Sequence, residues 1–185
     1  MTYTRREALV AAGGMVAVAG CTGVPDTGDR SLALSSSAFG EGEAIPAAYT
    51  CDGADESPPL AFEEIPSETG ALGLVVEDPD APGTTFTHWL LWNLPPDRTV
   101  IHAGVTDAPT LPSLGGARQG KNGFGTIGYR GPCPPGGGGE HTYRFRAYAL
   151  DAALDVAPGA DRGAVLPALE GAEIATDTLT GTYER

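Results

Sequence analysis

Two short segments concentrate the residues able to do chemistry. Asp78-Pro79-Asp80-Ala81-Pro82 leads into Phe86-Thr87-His88-Trp89-Leu90-Leu91-Trp92-Asn93. Farther along, Gly128-Tyr129-Arg130-Gly131-Pro132-Cys133-Pro134-Pro135 and a run of glycines lead into Glu140-His141-Thr142-Tyr143-Arg144-Phe145. Two of the chain's three histidines fall in these segments. An imidazole donates N–H bonds to an anion, more strongly when charged. A neighbouring aspartate can accept from the far ring nitrogen and fix the tautomer. The chemistry expected is therefore binding of a small ligand by convergent polar groups. Asp78, Asp80, His88 and His141 also admit acid–base catalysis or a metal site. No Gly-x-Ser-x-Gly elbow is present, the only nucleophile candidates are Cys51 and Cys133, and Asp-x-Asp has no specific metal spacing. The reading therefore assigns no catalytic residue, no metal and no cofactor.

The elements that must position these groups read mostly as strands. Residues 31–39, 60–65, 71–77, 86–94 and 141–150 carry alternating or β-branched and aromatic runs, separated by Pro- and Gly-rich turns. A last strand is expected over 174–183, and one helix over 162–172, where Val165, Leu166 and Leu169 share a face. Many strands with such turns predict a mainly β sandwich or barrel with one or two peripheral helices. Strand alternation puts Phe86, His88, Leu90 and Trp92 on one face. It puts His141, Tyr143, Phe145, Ala147 and Ala149 on another, and Leu72, Leu74, Val76 and Asp78 on a third. Each strand thus offers an apolar face with a polar end, which describes a small-ligand pocket. The irregular stretch 104–140 is long for a compact domain, and its prolines and aromatics predict an ordered binding loop. Such a loop also leaves open a surface inhibitor of a protease or other enzyme.

The first 20 residues read as an address. Thr4-Arg5-Arg6-Glu7 precedes a short apolar run ending in Val18-Ala19-Gly20-Cys21. That run is shorter than the ~20 residues of a membrane-spanning helix. The paired arginines fit twin-arginine export, and the small residues before Cys21 resemble a lipobox. Residues 21–30 read as a flexible tether, and 31–185 as one domain. The expected location is the outer cell surface, with the membrane reached only through a lipid on Cys21. The formal net charge is −13, and −14 without residues 1–20. A polyanion is thereby disfavoured as partner, so no nucleic acid is expected. The acidic residues are spread along the chain, and Lys121 is its single lysine. That pattern favours adaptation to high salt over an acidic docking face. An exported location permits a disulfide between Cys51 and Cys133, the alternative being two buried thiols.

At this level of detail a resemblance emerges. The two segments resemble the signature regions of the phosphatidylethanolamine-binding protein family. Tyr49-Thr50-Cys51-Asp52-Gly53, Ser57-Pro58-Pro59-Leu60 and Leu179-Thr180-Gly181-Thr182-Tyr183 resemble its bacterial and archaeal, Raf-kinase-inhibitor-like branch. The likeness spans residues 31–185. It implies an antiparallel β-sandwich with an anion pocket at one end of the sheet. The pocket residues it implies are Asp78, Asp80, Pro82, His88, Gly131, Pro132, His141 and Tyr143. The ligand it implies is a phosphate monoester or carboxylate, such as a phosphoethanolamine-like head group, bound without catalysis. It further implies a homodimer as candidate assembly.

Overall fold

The computed structural model describes residues 31–185. The expected export signal, Cys21 and the tether lie outside the described residues. Ten strands and one helix follow in chain order: β1 (Ala33–Ser35), β2 (Glu43–Ala44), β3 (Leu60–Glu63), β4 (Ala71–Asp78), β5 (Phe86–Leu94), β6 (Val100–Ile101), β7 (Thr110–Leu111), β8 (Ala117–Gln119), β9 (His141–Leu150), α1 (Arg162–Ala172) and β10 (Glu173–Tyr183). They form two sheets, ordered β2-β10-β9-β4-β5-β8-β7 and β1-β3-β6. All pairs are antiparallel except β2 with β10. The architecture is an open sandwich, as expected, and not a closed barrel.

The large sheet buries both faces at its centre. On one side Leu72, Leu74 and Val76 of β4, Trp89 and Leu91 of β5, and Phe145 and Ala147 of β9 pack against Leu34, Phe62 and Ile101 of the small sheet. On the other side Val75, Leu90, Trp92, Tyr148 and Leu150 meet Val165 and Leu169 of α1. This double cover explains why 71–78 is a nearly continuous apolar run. At Gly73 an added Cβ would sit 2.5 Å from Leu169 Cδ2, so the leucine would have to shift to admit a side chain. The helix starts at Asp161, whose carboxylate caps Ala164 N–H. Burial of a side chain such as Leu169 stabilises by about 1.5–3 kcal/mol.

The differences from expectation have local causes. The first strand ends at Ser35, because the Ser36 hydroxyl accepts from Ala38 N–H and turns the chain. The third ends at Glu63, where Glu64 takes φ 50°. Strands β2, β6, β7 and β8 have two or three residues each, too few to show a period. The stretch 104–140 is ordered from within. Gln119 donates to the carbonyls of Thr106 and Ala108, both at 2.8 Å, and accepts from Trp89 Nε1 at 2.6 Å.

One difference bears on the site. The β4–β5 ladder pairs Val76 with Trp89 but Glu77 with Thr87, so His88 is the extra residue of a β-bulge. Simple alternation had grouped His88 with Leu90 and Trp92. Those two face α1 instead, while His88 turns to the opposite face and meets Tyr143.

Candidate ligand pocket at the end of the large sheet

Three strand ends meet at one edge of the sandwich: the last residue of β4 and the first residues of β5 and β9. Asp78 sits opposite Phe86 in the β4–β5 ladder, and Glu77 opposite Arg144 in the β4–β9 ladder. Asp78 is therefore held beside His141 and Tyr143. Its Oδ2 accepts from His141 Nδ1 at 2.8 Å, and its Oδ1 accepts from Asp80 N–H at 2.8 Å. The second bond closes an Asx turn over Pro79. Asp80 then reaches across, its Oδ2 accepting from Thr142 N–H at 2.8 Å. One carboxylate thus orients a histidine, and the other fastens the turn to the start of β9.

The facing wall is a loop. His88 Nδ1 lies 2.7 Å from the carbonyl oxygen of Arg130. A carbonyl only accepts, so the proton of that bond belongs to Nδ1. The carbonyl is itself held. Arg130 N–H donates to His88 O, and Gly131 N–H donates to Asp55 Oδ1 at 2.7 Å. The Arg130 guanidinium is 3.1 Å from Asp107 and 3.9 Å from Asp55. At Gly131 the loop passes so close to Tyr49 that a Cβ would lie 2.3 Å from the Tyr49 oxygen. Only glycine fits. Tyr129 donates its hydroxyl to that same oxygen at 2.7 Å, Cys51 N–H donates to Pro132 O, and a disulfide joins Cys51 to Cys133.

Between the walls lies a cavity of about 210 Å³, lined by Asp78, Ala81, Pro82, Phe86, His88, Phe124, Cys133, Pro134, Pro135 and His141. Of the residues expected from the sequence, Asp78, Pro82, His88 and His141 line it. Tyr143 lies directly behind, fully buried, its ring edge-on to His88 and stacked on His141 at centroid distances of 5.3 and 6.5 Å. Its buried hydroxyl interacts with the Asp78 carboxylate and the Cys133 backbone. Asp80, Gly131 and Pro132 stand one layer back, where they fix the walls. The glycines at 136–139 lie off the cavity, and Cys133, Pro134 and Pro135 form that part of its surface.

Sequence reasoning missed Asp55, Arg130 and Phe124. Asp55 takes φ 56°, a left-handed turn that Asp tolerates, but nothing local links it to Gly131, 76 residues away. Phe124 is 51% exposed at the rim, packed edge-on to Phe86. Its loop is shaped by Asn122, whose Oδ1 accepts from the N–H groups of Phe124 and Thr126. The Asn-Gly-Phe-Gly sequence was the available signal.

Burial sets the electrostatics. It pushes the His88 pKa below 6.5, against opposing pulls from the Arg130 carbonyl and the Asp78 carboxylate. Burial and then Asp78 push the Tyr143 hydroxyl well above its ordinary value, so it stays protonated. Among the described residues no three His, Cys, Asp or Glu side chains are grouped to hold a metal ion.

An open β-sandwich with a small histidine-lined cavity at the end of its large sheet defines a ligand-binding class of protein. The family model described as phosphatidylethanolamine-binding protein matches residues 35–184, and the chain belongs to that family. A UPF0098 protein from Methanothermobacter thermautotrophicus is 48% identical over 152 residues, which are 82% of this chain and 98% of the relative. A relative from Mycobacterium tuberculosis, whose name includes the word lipoprotein, is 36% identical over 86% of this chain and 76% of its own. Among solved structures, the phosphatidylethanolamine-binding protein homologue CT736 from Chlamydia trachomatis superposes with a TM-score of 0.75 at 40% identity, covering 84% of this chain and 99% of the other. E. coli YbcL gives 0.78 at 30% identity, covering 83% and 98%.

Proposed function

We propose that the protein is an exported, lipid-anchored binding protein whose cavity takes a small phosphate-ester head group of phosphoethanolamine type, without chemistry on it. One observation carries the reading. His88 and His141 have their Nδ1 atoms tied to fixed acceptors and line one cavity, with the Tyr143 ring packed behind them. Each ring keeps Nε2 for a ligand. Asp78 is already engaged by His141 and Asp80, which limits its repulsion of an anion. Size narrows the ligand. At about 210 Å³ the cavity is below the ~300–1,000 Å³ of drug-sized pockets. A lipid head group enters, and its acyl tails stay outside. A binding role is supported by the wall chemistry, since Cys133 is bonded to Cys51 and no serine lines the cavity.

Export rests on the leader, on Cys21, on the lipoprotein named among the relatives, and on the Cys51–Cys133 disulfide, which suits an oxidising compartment. Calorimetry with phosphoethanolamine tests the site. The native protein is expected to bind it, and the His88→Ala/His141→Ala pair to bind at least about tenfold more weakly. Binding that survives both changes undoes the assignment. Release of a Cys21→Ala variant from the membrane fraction tests the anchor; unchanged membrane association removes it.

A further inference from the structure

Granting the head-group reading on which it rests, the geometry points to a cavity that selects the singly protonated, monoanionic form of a phosphate monoester over its dianion. His88 Nε2 accepts the ligand's own P–O–H proton. The first ground is the tautomer. His88 Nδ1 must carry hydrogen to bond the Arg130 carbonyl at 2.7 Å, so the neutral ring offers a lone pair at Nε2. Turning the ring over would orphan that carbonyl, which Gly131, Asp55 and the Arg130 backbone bonds hold in place. A lone pair facing a dianionic oxygen repels it, whereas the same lone pair facing P–O–H makes a hydrogen bond.

The second ground is charge. No lysine or arginine lines the cavity. With His88 neutral, its formal charges are the Asp78 carboxylate and at most one imidazolium, so the wall reaches neutrality at best. Two negative charges on a ligand would go uncompensated.

The third ground is that several backbone positions at and behind the cavity wall offer no donor. Pro82, Pro134 and Pro135 line the cavity and Pro132 supports it, and proline has no N–H. Gly131 N–H is spent on Asp55, Asp80 N–H on Asp78, and Thr142 N–H on Asp80. A ligand that brings its own donor fits such a wall.

Titration of His88 is constrained from every side. Asp78 on β4, Tyr143 and His141 on β9, and Asp55 and Arg130 in the loops surround it. Their carboxylates favour the charged ring, and burial outweighs them.

The test compares phosphoethanolamine with its sulfate analogue, 2-aminoethyl hydrogen sulfate, of the same shape and with the same ammonium group, whose sulfate carries one negative charge and no exchangeable proton on its oxygens. Calorimetry of the full chain is run from about pH 5 to about pH 8, spanning the second phosphate pKa of about 6. Phosphoethanolamine affinity is expected to fall about tenfold per pH unit above that pKa. The sulfate ester is expected to bind at least about tenfold more weakly at pH 5. His88→Gln, whose amide can turn N–H toward the ligand, is expected to narrow the gap between the two esters, with melting curves confirming its fold. Equal binding of both esters, lost together as pH rises, would show an imidazolium donor. That outcome overturns the protonated-ligand inference and leaves the head-group reading standing. Failure of both esters to bind at any pH overturns both.

Discussion

The two walls of the cavity are built on different plans. The His141 wall is made of regular sheet. Asp78 and His141 end neighbouring strands, and one carboxylate joins them. The His88 wall is assembled from a β-bulge, a proline-rich loop and a turn some 80 residues earlier, joined by one disulfide, one hydroxyl and one carboxylate. A ladder repeats its bonds at every residue, so the loss of one is shared. The loop wall has few bonds, and each acts alone. The same side chain in two such settings does different work. His141 donates to a carboxylate, and His88 donates to a neutral carbonyl in a dry site that disfavours charge.

The contrast is open to attack, beginning with the disulfide. Replacing Cys51 and Cys133 together by alanine is expected to destabilise by about 4 kcal/mol in the chain-entropy model, given their separation of 82 residues. Denaturant titration reads this directly. The NMR signal of His88 should move and that of His141 stay; equal movement would erase the distinction between the walls. Next comes Asp78→Ala, expected to cost about 2–3 kcal/mol because the buried His141 ring and the part-buried Asp80 N–H lose their acceptor. It should also abolish measurable head-group binding. Gly131→Ala is expected to cost about 1–3 kcal/mol by forcing the loop off Tyr49, and a melting temperature equal to the native one would show that the loop can yield.

The smallest effect is a slope. His88 has its folded pKa lowered below 6.5, so the unfolded chain binds more protons near and below that pH. Stability is then greatest above about pH 6.5 and falls as pH drops toward the folded pKa, by at most about 1.4 kcal/mol per unit. Denaturation at several pH values should show this component in the native protein and not in His88→Gln. An unchanged slope in the variant would place the titration elsewhere.

The difference between the walls also decided what could be read from sequence. Alternation along 141–149 placed His141, Tyr143 and Phe145 on one face, and along 71–78 placed Asp78 with Leu72 and Leu74, because regular strands obey a period of two. The helix was legible for a similar reason, with Val165 and Leu169 one turn apart. His88 broke the pattern, since a bulge inserts one residue without a mark in composition. Asp55 and Arg130 were invisible because their value comes from contacts across 76 and 42 residues, to Gly131 and to His88. The family resemblance supplied Gly131, whose close approach to Tyr49 no local signal shows.

The prolines of the loop wall have a consequence for time as well as for energy. Pro132, Pro134 and Pro135 fix three φ angles in four residues, and the disulfide fastens the residue between them. A wall so restrained has little freedom left to lose when a ligand arrives. Association should then proceed in a single step, with an observed rate that rises linearly with ligand concentration and shows no plateau. Ligands of different head group would differ chiefly in how long they stay.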